Sequence, residues 1–544
     1  GDLTITNEIA CNGNGGSLHI DGGTVNHTGT TLDWGTNVNR YIEMTSGNFS
    51  TNANFSINGG NNTSQPGFTA GSGTAVFNGN LTVPSSSKRF DLGDGEVLVE
   101  GDFLVGSGSQ FNVLSGELVV NGTTTVNGTF NGDDGITSYY GEITIGSGGV
   151  LNLGTGIINF NASTSIGDNG TVNFGSGEVN FGNDVLVQSS GFVNVQDATV
   201  NIVGDADFSN NGNLSVNNGT INVGGNASVT SGGTISLGGG NLNLEGDLSV
   251  TGGSNFQADS STVTFSGDST QTISTNGNDI TFNNVVVDSG ATFQTDGATE
   301  NVVVVEGNLT VNEGGNVVVE DDDKLDIQGE VGGDGADEID SPSPFAVTAV
   351  ATDLNTVLIT FNKEMVEFLA ENTSNYSIVS LPGLTPVTVN SATLNTGGNG
   401  RQVTLSISTI QEDVEYRITM NNLESTDGGE LSTNHIKRFT KLGPVTFYSR
   451  QTGNWSVNST WSTVSHTGSA ATKNSANTPN STVIVGDGHT VSVVSGATIT
   501  NQTSVSVSGA SKLLVGSGGV LNLGTKTISG AGTFEVTDGK IIIG

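Results

Sequence analysis

The fold of this chain is decided by a stretch in which short alternating runs are separated by turns containing glycine, GVLNLGTGIINFNASTSIGDNGTVNFGSGEVNFGNDVLV (149–187). Leu151 and Leu153 are two residues apart, and Ile158 and Phe160 repeat this spacing. Residues two apart on a strand point to the same side of it, so each run predicts a short strand with about two inward side chains.

The same pattern returns every 21 residues through the middle of the chain. One apolar column contains Leu151, Val172, Val193, Leu214, Ile235 and Phe256; a second contains Ile158, Val179, Val200, Ile221, Leu242 and Val263; a third contains Val187, Phe208, Val229 and Val250. Three strands and three corners per repeat describe one coil of a parallel β-solenoid. The spacing changes to 22 between Phe68 and Phe90 and to 19 between Phe111 and Phe130, as loops of different length at the corners would cause.

Glycine follows the same period at two places in the repeat. One column is Gly149, Gly170, Gly191, Gly212 and Gly233; another is Gly204, Gly225, Gly246 and Gly267. Glycine adopts positive φ more readily than other residues, so these columns predict corners where the chain turns sharply with φ above zero.

Composition excludes several classes of partner. The formal net charge is −38, only 12% of residues are charged, and no Lys or Arg occurs between Arg89 and Lys324. A surface so poor in cations does not neutralise phosphates, so we expect neither nucleic acid nor anionic membranes as partners. The sequence has no apolar run long enough to span a membrane, which predicts no membrane insertion in this segment. Cys11 is the only cysteine, so no intrachain disulfide can form.

The pattern divides the chain into four predicted parts. Residues 1–335 form the solenoid, 336–344 an acidic and proline-containing linker, 345–442 a β-sandwich with seven alternating runs, and 446–544 a second β-solenoid with an N-terminal cap. The string GSGGVLNLGT occurs at 146–155 and again at 516–525, which indicates common ancestry of the two solenoids. Both ends resemble interior strands, so we expect export and anchoring signals to lie outside this segment.

Two segments resemble known modules. TVLITFNKEM (356–365), followed by NYSI (375–378), resembles the bacterial Ig-like domains of S-layer and other surface proteins. SRQTGNWSVNSTWST (449–463) resembles a segment that opens β-solenoid modules in large secreted proteins of Bacteroidota. The order of solenoid, Ig-like spacer and solenoid is similar to that of giant surface adhesins exported by the type IX system, including those that act in gliding motility.

This resemblance implies a structural stalk segment, extracellular and at the bacterial cell surface, that serves attachment or surface motility. Its partners would be other modules of the same long polypeptide, and surface polysaccharide or abiotic surfaces. The alternative is a β-helix protein that binds or degrades polysaccharide. We expect no enzyme, because the central solenoid has no Lys or Arg to stabilise an enolate-like charge and the five histidines have no metal-ligand spacing.

An acidic tract near the end of the first solenoid is the candidate metal site. Its proposed ligands are Asp321, Asp322, Asp323, Asp326 and Asp337. Ca²⁺ takes several carboxylate oxygens, and a cation there would stiffen the joint between rod and sandwich. The alternative is a solvated linker, since blocks of like charge are often disordered. No other cofactor is expected.

Two polar columns accompany the apolar ones. Asp184, Asp205, Asn226, Asp247 and Asp268 lie beside a glycine corner and are expected to accept hydrogen bonds from turn amides, with cation binding as the alternative. Asn159, Asn180, Asn201, Asn222 and Asn243 point outward and are expected to form a hydrogen-bonded ladder from coil to coil, with a flat ligand-binding face as the alternative.

Trp455 and Trp461 are the candidate residues for carbohydrate binding. An indole ring offers a large apolar face on which a sugar ring stacks. The alternative, which we favour, is that they close the open end of the second solenoid, where unpaired strand edges would invite aggregation.

Overall fold

The computed structural model describes most of the chain. The described residues are 1–10, 15–33, 39–61, 65–85, 87–297, 301–320, 323–334, 339–397, 399–443, 445–471, 481–494, 497–500, 504–524 and 528–543.

One coil of the first solenoid contains three short strands, each on its own face. In a representative coil, Val150–Leu153 lies on the first face, Ile157–Phe160 on the second and Thr164–Ile166 on the third. Each strand pairs in parallel with the equivalent strands of the preceding and following coils. The all-β class and the parallel β-solenoid are therefore confirmed.

The described strands continue along the three faces as ladders. Two long strands, Gly16–His27 and Arg40–Thr51, cross from the first face to the second and join these faces into one sheet of 26 strands. The first face continues in this sheet with Phe68–Ala70, Arg89–Leu92, Gln110–Val113, Thr129–Gly132, Val150–Leu153, Thr171–Phe174, Phe192–Val195, Asn213–Val216, Thr234–Ser236 and Asn255–Gln257. Its last three described strands, Ile280–Phe282, Val302–Val305 and Lys324–Ile327, form a separate three-stranded parallel sheet. The second face contains Asp2–Ile5, Thr74–Phe77, Glu96–Val99, Glu117–Val120, Ile136–Tyr139, Ile157–Phe160, Glu178–Phe181, Thr199–Ile202, Thr220–Val223, Asn241–Leu244, Thr262–Phe265, Asn284–Val287, Leu309–Val311 and Val331–Gly332.

The third face is mainly a 14-stranded parallel sheet. Its strands are Phe55–Ser56, Leu81–Val83, Phe103–Val105, Thr124–Val126, Ile143–Ile145, Thr164–Ile166, Val185–Val187, Ala206–Phe208, Ala227–Val229, Leu248–Val250, Thr270–Ser274, Thr292–Thr295, Asn316–Val318 and Ile339–Asp340. The short strands Ile9–Ala10 and Leu32–Asp33 pair separately near the N-terminus.

The register follows the columns predicted from the sequence. Leu151 pairs with Val172, and Ile158 pairs with Val179. Phe68 pairs with Phe90 and Phe111 with Phe130, so the 22- and 19-residue repeats are real changes of coil length. A one-residue slip would turn every inward side chain outward, so the alternation and the repeat spacing together fix this register.

The inward side chains form one hydrophobic cluster that runs from Ile20 to Phe345. Aromatic rings stack along it: the ring centroids of Phe68 and Phe90 are 4.7 Å apart, and those of Phe90 and Phe111 are 4.5 Å apart. Each coil shares its core with both neighbours, because a single layer of short strands buries too few side chains to offset its ordering entropy.

The predicted reason for the glycine columns was wrong. The residues with positive φ are those just before the first column, such as Asp168 at 48° and Asn169 at 63° before Gly170. Gly170 itself does not have positive φ. A Cβ on it would lie 2.5 Å from the carbonyl oxygen of Ile145. In the second column, a Cβ on Gly246 would lie 2.6 Å from the carbonyl carbon of Gly225. Glycine is required here because the backbones of successive coils approach each other closely.

The segment after the first solenoid folds as two four-stranded antiparallel sheets packed face to face. One contains Ala346–Asp353, Thr356–Phe361, Gln402–Ile407 and Val389–Leu394; the other contains Pro386–Val387, Tyr376–Leu381, Glu415–Met420 and His435–Thr440. A single-turn helix, Glu367–Ala370, and a 3₁₀ turn, Thr373–Asn375, lie between strands. The apolar side chains of this sandwich form a separate hydrophobic cluster from Ala346 to Phe439.

A second set of parallel ladders follows, with a third hydrophobic cluster from Phe447 to Leu523. Its three sheets contain Trp461–Ser462, Thr446–Ser449, Thr482–Val485, Ser504–Val507 and Ile528–Ser529; Gly453–Asn454, Thr490–Val493, Lys512–Val515 and Thr533–Val536; and Thr498–Thr500, Val520–Gly524 and Lys540–Ile543. A 3₁₀ turn, Asn458–Thr460, precedes Trp461. Trp461–Ser462 pairs antiparallel to Thr446–Ser449, while the later strands pair in parallel.

The solenoid ladder enters the segment that composition predicts to be a linker. Ile339 pairs with Val317 and Asp340 with Val318 on the third face, so residues within 336–344 contribute a strand. The predicted domain boundaries and the Ig-like assignment rest on the sequence patterns and stay predictions.

Candidate functional site

The acidic end of the first solenoid meets the sandwich at a buried polar contact. Asp326 lies on the last described strand of the first face, Lys324–Ile327, and His435 opens the sandwich edge strand, His435–Thr440. The Nδ1 atom of His435 is 2.8 Å from Oδ1 of Asp326, and the exposed fractions of the two side chains are 0% and 9%. This contact joins the solenoid to the sandwich, and we refer to it, with Lys437, as the junction.

The hydrogen bonds of His435 define which ring nitrogen carries the proton. Nε2 accepts a hydrogen bond from the backbone N–H of Ala346 at 3.1 Å, so this nitrogen is unprotonated. The proton is therefore assigned to Nδ1, which faces Asp326 Oδ1 and, at 3.1 Å, the hydroxyl of Ser432. The imidazole thus bridges the first residue of the sandwich core and the last described strand of the rod's first face.

Lys437, two residues further along the same strand, adds a second buried polar group. Its ammonium donates a hydrogen bond to the carbonyl oxygen of Gly329, and its side chain is 1% exposed. Burial lowers the pKa of Lys437 to about 7, while the negative charges of Asp326 and Glu330 act in the opposite direction. The backbone N–H of Arg438 also donates to the carbonyl of Gln328 at 3.2 Å, which extends the contact along the strand.

Two of the five proposed calcium ligands are described, and both have partners within the protein. Asp323 is fully buried and accepts hydrogen bonds from the backbone N–H and side-chain amide of Asn301, both at 3.0 Å, and from Gly297 N at 3.1 Å. Asp326 faces His435.

The other three proposed ligands, Asp321, Asp322 and Asp337, lie outside the described residues. Within the described part of the chain, no group of three or more His, Cys, Asp or Glu side chains is placed to hold a metal ion. Calcium binding by the full set stays a prediction.

The two tryptophans proposed for sugar stacking are both buried, with 0% exposure. Trp461 Nε1 donates a hydrogen bond to the carbonyl oxygen of Trp455 at 2.7 Å, and the two rings meet edge to face with centroids 5.2 Å apart. Neither ring face is accessible to a sugar in this arrangement. The pair instead packs with Phe447 at the start of the second solenoid's core.

Four of the five members of the aspartate and asparagine column beside the corner accept turn amides, as predicted, and the exception among the described residues is Asp268. Asp184 Oδ1 accepts from the backbone N–H of Asp205 at 2.9 Å, and Asp205 Oδ1 accepts from Asn226 N at 2.7 Å. The column continues with Asn226 accepting from Asp247 N and Asp247 from Thr272 N. Each side chain thus fixes the corner of the following coil.

The outward asparagines form the predicted ladder. Asn201 donates to Asn180 at 2.8 Å, Asn222 to Asn201 at 2.7 Å and Asn243 to Asn222 at 2.7 Å. A second ladder of the same kind, which was not predicted, runs along the first face through Asn112, Asn131, Asn152 and Asn173. Its signal in the sequence is asparagine at the middle outward position of five successive first-face strands, from Gln110–Val113 to Phe192–Val195.

The junction residues of the sandwich were not predicted either. The run HIKRFT (435–440) alternates, and its inward positions are His435, Lys437 and Phe439. A histidine and a lysine on the face shared with a core phenylalanine are unusual for a free-standing sandwich. That pattern is the sequence signal for a polar surface that becomes buried against another part of the chain.

Similarity to known proteins is slight. No protein-family model and no curated protein matches this chain. A solved structure of the N-terminal part of the bacterial S-layer protein SbsC matches with 22% identity over 21% of this chain and 27% of that chain, at a TM-score of 0.18. The S-layer protein rSbsC(31-844) matches with 20% identity over 24% of this chain and 19% of that chain, at a TM-score of 0.17.

This chain therefore spans about a quarter or less of the length of these solved structures. Among the described residues, no helix is long and apolar enough to cross a membrane.

Proposed function

We propose that this chain is a structural stalk segment of a large secreted bacterial cell-surface adhesin or filament. The observation that supports it is the single hydrophobic cluster from Ile20 to Phe345, enclosed by ladders on all three faces. Because the coils share one core and their strands are paired, several coils together resist bending or stretching of the rod. The rod lengthens by about 4.8 Å with each coil, so length is obtained by repetition alone.

The junction gives the stalk mechanical continuity. Asp326, His435 and Lys437 are buried between the rod and the sandwich, so the two parts meet through hydrogen-bonded contacts as well as through the chain. A sandwich docked in this way also covers Lys324–Ile327, the last described strand of the first face, near the end of the solenoid. Open solenoid ends expose strand edges and core side chains, and covering them prevents aggregation.

The cellular setting of the proposal rests on the sequence resemblances. The Ig-like phrase at 356–365 and the segment 449–463 support an extracellular location at the bacterial cell surface, export by the type IX system and a role in attachment or gliding motility. Other modules of the same polypeptide would be the immediate partners.

Localisation and adhesion in the source organism test the proposal. Antibodies raised against the chain should label intact cells, and deletion of residues 1–443 from the gene should reduce attachment or surface movement without reducing growth. A matched strain carrying Asp340→Ala, an exposed change, serves as the control. Labelling confined to permeabilised cells, or normal attachment after the deletion, would contradict the proposed role.

A polysaccharide-binding role is the second candidate, and one observation favours it. A groove lined by both polar and apolar groups runs along the outer side of the second face, away from the tryptophans at first proposed for sugar binding.

A further inference from the structure

The groove crosses five successive strands of the second face, from Thr199–Ile202 to Asn284–Val287, and has a volume of about 630 Å³. Asn222, Asn243 and Thr264 lie along it, with Val203, Glu245 and Asp288 beside them. With a spacing of about 4.8 Å between paired strands, four steps give a length of roughly 19 Å. A site of this shape suits an extended ligand lying along the solenoid axis.

The recess arises from the order of large and small residues just after each strand. Val203, with an exposed fraction of 69%, is followed in the next coils by Gly224, then Glu245, then Ser266. The glycine leaves a gap between Val203 and Glu245, and the serine leaves a second gap between Glu245 and Asp288. The same corner therefore presents an apolar surface, a notch and a carboxylate within a few ångströms of the asparagine ladder.

The ladder leaves part of its hydrogen-bonding capacity unused. An amide side chain has two N–H donors and two acceptor lone pairs on its oxygen. Asn222 uses one donor on Asn201 and one lone pair for Asn243, each at 2.7 Å. One donor and one acceptor of Asn222 remain for a ligand, and their position is fixed by the ladder, so little side-chain entropy is lost on binding.

The charge of the groove and the pairing of its strands restrict the chemical class of ligand that it can bind. Glu245 and Asp288 line the groove, and no Lys or Arg occurs between Arg89 and Lys324, so an anionic ligand would be repelled. An extended peptide binds sheets by adding to an unpaired edge, but each strand along the middle of this groove is paired on both sides. Hydroxyl groups both donate to carboxylates and pair with amides, and sugar C–H faces contact apolar side chains such as Val203.

We propose that this groove binds a neutral polysaccharide with its chain along the solenoid axis. The site goes beyond the stalk role, which requires no ligand on this face. It gives the stalk a lateral contact with a glycan at the side of the rod.

Binding of defined oligosaccharides to the full chain tests the proposal. Neutral gluco-, manno- and xylo-oligosaccharides of increasing length are titrated by calorimetry, with alginate oligosaccharides and a lysine-rich peptide as competing classes. At least one neutral series should bind, with affinity rising with length until the groove is filled. Asn222→Leu should weaken this binding by about tenfold or more, since it removes hydrogen bonds to the ligand.

The matched control is Asn152→Leu, on the first face. Asn152 donates to Asn131 and accepts from Asn173, each at 2.9 Å, so it has the same place in a ladder but does not line the groove. It should lower the melting temperature as Asn222→Leu does and leave glycan affinity unchanged. Glu245→Arg, at an exposed position outside the ladder, should weaken binding with no change in melting.

Three results would overturn the proposal: no neutral series binds, the alginate or the peptide binds more tightly, or Asn152→Leu weakens binding as much as Asn222→Leu. None of these results affects the stalk role, because surface labelling and attachment are measured separately.

Discussion

The Nδ1 atom of His435 lies 2.8 Å from Oδ1 of Asp326, and through this contact the sandwich is held on the end of the first solenoid. Both side chains are buried, and the second nitrogen of the imidazole accepts the backbone N–H of Ala346. A single histidine therefore links the last described strand of the rod's first face, the first strand of the sandwich and the sandwich edge strand. We expect loss of this histidine to destabilise both the end of the solenoid and the sandwich.

Replacing Asp326 by Ala should destabilise the junction. The change leaves His435 Nδ1 and the backbone N–H of Ile436 without their carboxylate partner in a buried contact, which costs about 2–4 kcal/mol. Urea unfolding of the sandwich and small-angle scattering should report a lower midpoint and a more flexible rod. Asp340→Ala, at an exposed position on the third face of the same coil, is the control and should have little effect. Equal behaviour of the two variants would show that the junction contributes nothing.

Stability should depend on pH through Lys437. Its pKa is lowered to about 7 in the folded protein, whereas a lysine in an unfolded chain titrates at about 10.4. Between these values the unfolded state binds more protons, so the free energy of unfolding should rise from about pH 7 to about pH 10 and be constant, at its lower value, below pH 7. Lys437→Met should remove this rise. A rise that persists in the variant would assign the effect to another group.

Two glycine substitutions test whether close approach between coils or positive φ explains the glycine columns. Gly148 has φ of 75°, and among the described residues, its two chain neighbours apart, no atom lies within 4 Å of the point where a Cβ would lie. Gly148→Ala should therefore cost only the strain of positive φ, about 1 kcal/mol. Gly170→Ala should cost more, about 2–3 kcal/mol, because its Cβ would press on Ile145 O and separate two coils. Hydrogen exchange of the neighbouring coils measures both. A larger destabilisation by Gly148→Ala than by Gly170→Ala would support positive φ as the reason for the glycine columns.

The two buried tryptophans should respond differently to the same change. Trp461→Phe removes the hydrogen bond to Trp455 O and leaves that carbonyl unpaired, which costs about 1–3 kcal/mol beyond the lost volume. Trp455 Nε1 is buried and has no hydrogen-bond partner among the described residues, so Trp455→Phe removes an unsatisfied donor and should cost less. Thermal unfolding of the C-terminal solenoid compares them. A larger loss for Trp455→Phe would mean that volume outweighs hydrogen bonding at this site.

Much of the solenoid could be predicted because its information is local and repeated. The pairs Leu151–Val172 and Ile158–Val179 follow directly from the alternation and the 21-residue spacing. The asparagine ladder follows from the same spacing, since equal positions in successive coils are neighbours. The cause of the glycines could not be predicted in this way, because closeness between two backbones depends on the packed shape of the coil.

The sequence by itself determined which side chains of each coil point inward and which coils are neighbours. The physical reason is that a strand has a two-residue period, and a stacked repeat converts sequence spacing into spatial contact. Only the tertiary structure decided the fate of the polar residues at the junction. Asp326 and Ile436 are 110 residues apart, and nothing periodic relates them. Whether a carboxylate there meets solvent, a cation or His435 depends on where the sandwich docks, and docking is a property of two complementary surfaces rather than of either sequence pattern.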